Sequence, residues 1–168
     1  DTFSPPLERA LDRVTKKPFG IFITPENSPV EPERFSGYHT GTDFELLPGE
    51  NEHAVMVSAI CSGEVRLRQW IEGYGGVVVQ QCSYEGELVT VLYGHLSPTT
   101  LDVEIGAMLG KGERVGVLGL RESRETDGER AHLHLSVHRG SEVELRGYVQ
   151  EERLLSEWID PVVVLNEG

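Results

Sequence analysis

Apolar and polar residues alternate along most of the chain, in short runs cut by glycine-rich breaks. The clearest runs are 54–60, 64–70, 77–82 and 88–93, followed by 103–109, 114–118, 132–138 and 143–149. Runs of this length and period predict strands. Ser62-Gly63 and Gly73-Tyr74-Gly75-Gly76 supply the turn signals between them. The two ends read differently. Leu7, Ala10, Leu11 and Val14 recur at helical spacing, so Ser4 to Val14 predicts a short amphipathic helix on the outside of the domain. Ser4 is its expected cap, with Pro5 and Pro6 in its first turn. Residues 151–158 predict one or two helical turns that stop before Asp160-Pro161. There is no internal repeat, low-complexity tract or linker. The expected fold class is mainly β: a single antiparallel β-sheet domain with short helices at the N-terminal and C-terminal ends.

A length of 168 residues fits one domain with its own core. The formal net charge of −13 argues against nucleic acid as a partner, since phosphates need a basic surface. It argues equally against adhesion to an anionic membrane, and no apolar run is long enough for membrane insertion. The N-terminal stretch is polar and has no signal-peptide core, so any export signal is expected to be absent from this chain or already removed. Cys61 and Cys82 lack a CxxC spacing and are poor metal ligands. Two readings stay open for them: a pair of buried thiols, or a disulfide between neighbouring strands of an exported protein.

The chemistry gathers in three stretches. The first is Gly37-Tyr38-His39-Thr40-Gly41-Thr42-Asp43, an HxGxD unit. The second is Tyr93-Gly94-His95-Leu96-Ser97, and the third is His132-Leu133-His134. On a strand, residues two apart point to one face, so His132 and His134 emerge side by side. His39 and Asp43 would lie roughly 13 Å apart on a straight strand, so sharing one ion requires a bend at Gly41. Zinc accepts imidazole nitrogen and carboxylate oxygen, and a catalytic site keeps one position for water. His39, Asp43 and one histidine of the HLH unit would supply three ligands. Strand parity alone treats His132 and His134 as equals. His53 and His138 fall outside the motifs and read as non-ligands, with a supporting role open for His138.

HxGxD, GHLS and HLH, in this order and spacing, resemble the lysostaphin-type, or LytM-like, zinc metallopeptidases. The resemblance extends from Lys17 to Leu165. It takes in Pro18-Phe19-Gly20, Gly63-Glu64-Val65, Gly73-Tyr74-Gly75, the stretch 103–119 and Asp160-Pro161. It implies a barrel-sandwich-like antiparallel β domain over 17–168, preceded by a helical extension over 1–16. It implies one Zn2+ per chain, bound by His39, Asp43 and His134. His95 and His132 would flank the metal-bound water and the scissile carbonyl as general base and transition-state stabilisers. The implied activity is a zinc metalloendopeptidase that cuts the peptide of bacterial peptidoglycan, outside the cytoplasm. A regulatory cell-wall protein would be a further partner.

The sequence departs from this pattern in two places. Some relatives carry a tyrosine six residues before the first ligand, near the tetrahedral intermediate. Here that position is Glu33, while Tyr38 adjoins His39. The stretch 121–130 replaces a small-residue loop with a long charged one, expected to be a solvated loop or a rim that selects cationic groups. Two other readings compete. A catalytically silent LytM-like activator would lack ligands, whereas all are present here. A biotinyl or lipoyl carrier would need an exposed lysine flanked by methionines. Lys111 sits between Gly110 and Gly112 instead, and this reading leaves the histidines unexplained.

Overall fold

The computed structural model describes Thr2–Glu167, and the statements below concern those residues. Asp1 and Gly168, the outer ends of the two expected segments, lie outside them. The strands in chain order are β1 (Phe22–Ile23), β2 (Gly37–His39), β3 (Thr42–Glu45), β4 (Met56–Ser58), β5 (Gly63–Ile71) and β6 (Gly75–Tyr84). They continue as β7 (Glu87–Leu96), β8 (Met108–Leu109), β9 (Arg114–Val117), β10 (His132–Arg139), β11 (Tyr148–Val149) and β12 (Trp158–Ile159). One α-helix, α1 (Pro161–Asn166), follows. The architecture is mainly antiparallel β with short helices, as expected.

The central sheet has the order β12-β10-β7-β6-β5-β8, with β3 added to β10. Among the described residues β8 and β12 do not pair, so the sheet stays open rather than closing into a barrel. β1, β2 and β11 form a small second sheet, and β4 pairs with β9. β6 is buried on both faces, which explains why Val77, Val78 and Val79 run on without polar interruption. Val78, Tyr93, Leu133 and Leu135 join the main core, while Val77, Val79, Leu92 and Tyr74 form a smaller cluster. The register places that smaller cluster on the face carrying His134, because His134 pairs with Gly94 and Gly94 with Val77.

Two local expectations are corrected and a third, the turn over Glu152–Glu157, is met and extended. Ser4 to Val14 is not an amphipathic helix; only Ala10–Arg13 forms a 3-10 turn. Its backbone groups are drawn into the sheet region instead: Ser4 N donates to Ile60 O at 2.9 Å, and Ser58 N to Pro6 O at 2.8 Å. Phe3, Leu7 and Ala10 therefore enter the main core rather than riding outside it, while Leu11 is left 48% exposed. The runs 103–109 and 143–149 contract to the two-residue strands β8 and β11. Asp160-Pro161 starts a helix as well as ending a turn: Asp160 Oδ1 accepts from Val162 N, and Pro161 takes the first helical position.

A disulfide joins Cys61, just before β5, to Cys82 on β6, so the two are not free thiols.

Candidate metal centre

The three motifs converge through strand pairing. β3 and β10 run antiparallel with Asp43 opposite His134, so both side chains rise from one face as direct neighbours. His39 ends β2, and the chain bends through Thr40-Gly41 before β3 begins. Gly41 serves a close approach as well as a bend. A Cβ there would lie 2.4 Å from Leu135 O and 2.9 Å from the His134 ring. Packing that brings the HxGxD turn onto β10 thus excludes any side chain at this point.

His95 reaches the same face by a different device. Gly94 pairs with His134, so strict alternation would send His95 to the core face beside Tyr93. The register between β6 and β7 slips here, with Gly76 opposite Leu96 and Val77 opposite Gly94, which makes His95 the extra residue of a β-bulge. Its φ is +67°, a left-handed conformation costly for a non-glycine residue. The bulge turns the imidazole back towards the site, where its ring lies 4.2 Å from that of His132.

His39 Nε2, Asp43 Oδ1 and His134 Nδ1 form a near-equilateral triangle. Each lies 3.2 Å from the other two. Two nitrogens and an oxygen bound to one tetrahedral zinc at about 2.0–2.1 Å would sit about 3.3 Å apart. The three residues are buried and could together hold a metal ion. Protonation makes the same point. His39 Nδ1 meets Pro18 O at 3.3 Å, a contact that needs the hydrogen on Nδ1 and leaves Nε2 an acceptor. That acceptor faces a carboxylate oxygen in a buried site, an arrangement that a cation between them would relieve. Among the described residues His134 Nε2 has no hydrogen-bond partner.

The supporting groups are equally specific. Arg130 Nη2 donates to Asp43 Oδ2 at 2.9 Å and to Glu45 Oε2 at 2.7 Å, leaving Oδ1 to the triangle. The Arg130 carbonyl receives His132 Nδ1 at 2.9 Å, and the Tyr74 carbonyl receives His95 Nδ1 at 2.8 Å. Each carbonyl fixes the hydrogen on Nδ1 and leaves Nε2 of His95 and of His132 as the proton-accepting atom. His132 Nε2 lies 3.3 Å from Asp43 Oδ2. Burial, reinforced by His134, pushes the His95 pKa down to about 3, and burial with Arg130 nearby lowers that of His132 well below its usual range. Burial would raise the Asp43 carboxyl, but His132, His39 and His134 outweigh it and hold the group well below the carboxylate range. Burial, with the Asp43 charge adding to it, raises the Tyr148 phenol and keeps it protonated. A cleft of about 260 Å³ opens over all five residues.

Residues 37–145 match the profile of peptidase family M23. The chain belongs to that family. No curated protein matches this M23 chain. Solved structures that share its fold include the following three. The catalytic domain of lysostaphin from Staphylococcus simulans has 22% identity and a TM-score of 0.61, over 94% of this chain and 96% of that one. The structure described as cbpa from L. salivarius REN has 21% identity and a TM-score of 0.64, over 99% and 96% of the two chains. A zinc-containing peptidase from Vibrio cholerae has 19% identity and a TM-score of 0.54 over 83% of this chain. This M23 chain spans 37% of the length of the Vibrio protein.

All five expected site residues meet in one cleft. His53 and His138 do not: His53 Nε2 bonds Glu125 Oε1 at 2.9 Å, and His138 packs edge-on against Trp158. Sequence reasoning missed Arg130, Tyr74, Lys17 and Tyr148. A signal existed for Arg130, which shares strand parity with His132 and His134. The charged stretch 121–130 is partly exposed, and most of its charges are paired. Arg121 pairs with Glu52, Glu125 bonds Ser97 and His53, Asp127 receives Gly73 N, and Glu129 pairs with Arg34. Most of its charges are engaged in fastening the loop beside the cleft.

Proposed function

We propose that this M23 member is a zinc-dependent endopeptidase that hydrolyses peptide cross-links or bridges of bacterial peptidoglycan. The observation that carries the reading is the triangle of His39 Nε2, Asp43 Oδ1 and His134 Nδ1, three buried atoms of metal-binding type 3.2 Å apart. In this reading those residues hold one Zn2+ per chain. Bound zinc supplies carbonyl polarisation and lowers the pKa of water towards about 7. The protein residues do the rest. The cleft positions the peptide carbonyl over the site. Nε2 of His132 or of His95 takes a proton from the attacking water and returns it to the departing amine. Asp43 Oδ2, held by Arg130, lies close enough to His132 Nε2 to steady the imidazolium. In this proposal 17–168 is the metallopeptidase domain and 1–16 its N-terminal extension.

Action outside the cytoplasm is part of the same proposal and is supported by the Cys61–Cys82 disulfide, a bond that persists in oxidising compartments. The test combines two measurements on the purified chain. Elemental analysis after zinc supplementation should give one equivalent. Digests of peptidoglycans that differ in cross-link chemistry, read by mass spectrometry, should give new amine and carboxyl ends at one bond type. Stoichiometric zinc without cleavage of any of them would favour the silent activator, and less than half an equivalent would sink the metal reading.

A further inference from the structure

One buried polar group of the cleft has no part in the metal triangle or the two proton-accepting imidazoles. Lys17 is 1% exposed and lines the cleft. Its ammonium pairs with Glu33, whose side chain is equally buried, and donates to Tyr148 Oη at 2.9 Å. Glu33 is fixed in turn by Ser28 Oγ at 2.7 Å and by Phe35 N at 3.2 Å. Tyr148 stands opposite His39 in the β2–β11 pairing, with the two rings 5.2 Å apart. Phe35 stacks on Tyr148 at 5.4 Å and 14°. Aromatic contacts thus clamp the ring, and an ammonium clamps its oxygen. The hydroxyl hydrogen must point elsewhere, and among the described residues it has no acceptor. A buried lysine and an unused donor beside a metal-binding triangle cost stability that packing alone does not require.

We infer that Tyr148 donates a hydrogen bond to the carbonyl oxygen of the substrate peptide as that carbon becomes tetrahedral, and that the Lys17–Glu33 pair aims the hydroxyl. The inference rests on the peptidase reading above. The electron count is simple. The water oxygen bonds to the carbonyl carbon, and the C=O π pair moves onto the oxygen. Tyr148 meets that growing charge without surrendering its proton. The water proton goes to an imidazole Nε2. When the C–N bond breaks, its electron pair stays on nitrogen, which takes up that proton, and the carbonyl re-forms. The ammonium of Lys17 drains electron density from the phenol oxygen and strengthens it as a donor in a site of low dielectric. Glu33 here anchors the lysine and touches the phenol only through it.

Tyr148→Phe tests this, because it keeps the ring, the Phe35 stack and the His39 contact and removes only the oxygen. Expected are a fall in kcat of about 10²-fold, as for the loss of one oxyanion donor, with KM and zinc content within about twofold of wild type. Affinity for a phosphinic peptide built on the cleaved bond, whose tetrahedral phosphorus mimics the transition state, should fall by a similar factor. Lys17→Met combined with Glu33→Gln, which removes both charges together, should lower kcat by about 10-fold, the partial loss expected when the donor remains but is no longer aimed. Unchanged kcat in Tyr148→Phe overturns the inference, as does an equal loss of affinity for substrate and phosphinic peptide, or loss of zinc. A zinc-loaded wild type that cleaves nothing overturns the peptidase reading and this inference with it. An active wild type with an equally active Tyr148→Phe overturns this inference alone.

Discussion

The two faces of the central sheet treat buried polar groups in opposite ways. On the core face Gln80 is fully buried, and each of its groups has a partner. Its Nε2 donates to Cys61 O at 2.8 Å and Leu109 O at 2.9 Å, and its Oε1 accepts from Tyr93 Oη at 3.0 Å. Tyr93 Oη in turn accepts from Ile60 N at 2.9 Å. β6, β7, β8 and the loop before β5 are tied there by protein atoms alone, and the disulfide lies beside them. On the other face three atoms able to bind a metal confront one another at 3.2 Å, and among the described residues His134 Nε2 is without a partner. A closed network is a structural device. A buried cluster of two imidazole nitrogens and one carboxylate oxygen at this spacing is one that a cation could complete.

The comparison can be broken most forcefully on the metal face. His134→Ala should lose zinc and nearly all activity together, whereas His132→Ala and His95→Ala should keep near-stoichiometric zinc and lose roughly 10²–10⁴-fold in rate. Metal content and turnover measured on the same samples decide this. An empty site in His132→Ala beside a filled one in His134→Ala would reverse the two roles. On the core face the expected losses are of stability. The cysteines are 21 residues apart, so removing the disulfide as the double Cys→Ser variant should cost about 3 kcal/mol and leave zinc in place. Tyr93→Phe strands Ile60 N and Gln80 Oε1 and should cost about 1–3 kcal/mol in denaturant unfolding, again without loss of zinc. A core-face variant that emptied the metal site while still folded would erase the distinction between the faces.

The smallest effect concerns the root of the charged loop. Arg121, by its hydrogen bond to Glu52, holds that carboxyl down at about 2 against an ordinary 4.5, despite its burial. A depressed carboxylate stabilises the fold above its unfolded pKa, and that contribution drains away as pH falls from about 4.5 towards 2. Glu52→Gln should therefore lower the melting temperature slightly at pH 6 and converge with wild type near pH 2. A constant gap across that range would remove the ion pair from the account.

Much of this was legible in the sequence because alternation and motif spacing act locally. The long strands β5, β6, β7 and β10 were all visible as period-two or continuous apolar runs. His132 and His134 follow from strand parity, and the need for a bend at Gly41 follows from chain length alone. What escaped was set by distant contacts. The helix expected over 4–14 lost to backbone bonds with residues 58 and 60. His95 would be placed on the wrong face by parity, since a bulge depends on the neighbouring strand. Lys17 and Tyr148 lie 131 residues apart, and no local pattern links them. The disulfide was undecided because cysteine spacing in sequence does not report distance in space.

The left-handed backbone at His95 also bears on how this chain could change over time. Selection for stability alone would favour glycine there, since glycine adopts that conformation at no steric cost and would release the strain. Such a change would give a sturdier protein whose cleft lacks one imidazole. In the proposed reading, His95→Gly would therefore exchange one imidazole of the cleft for a relaxed backbone, with the metal triangle left intact.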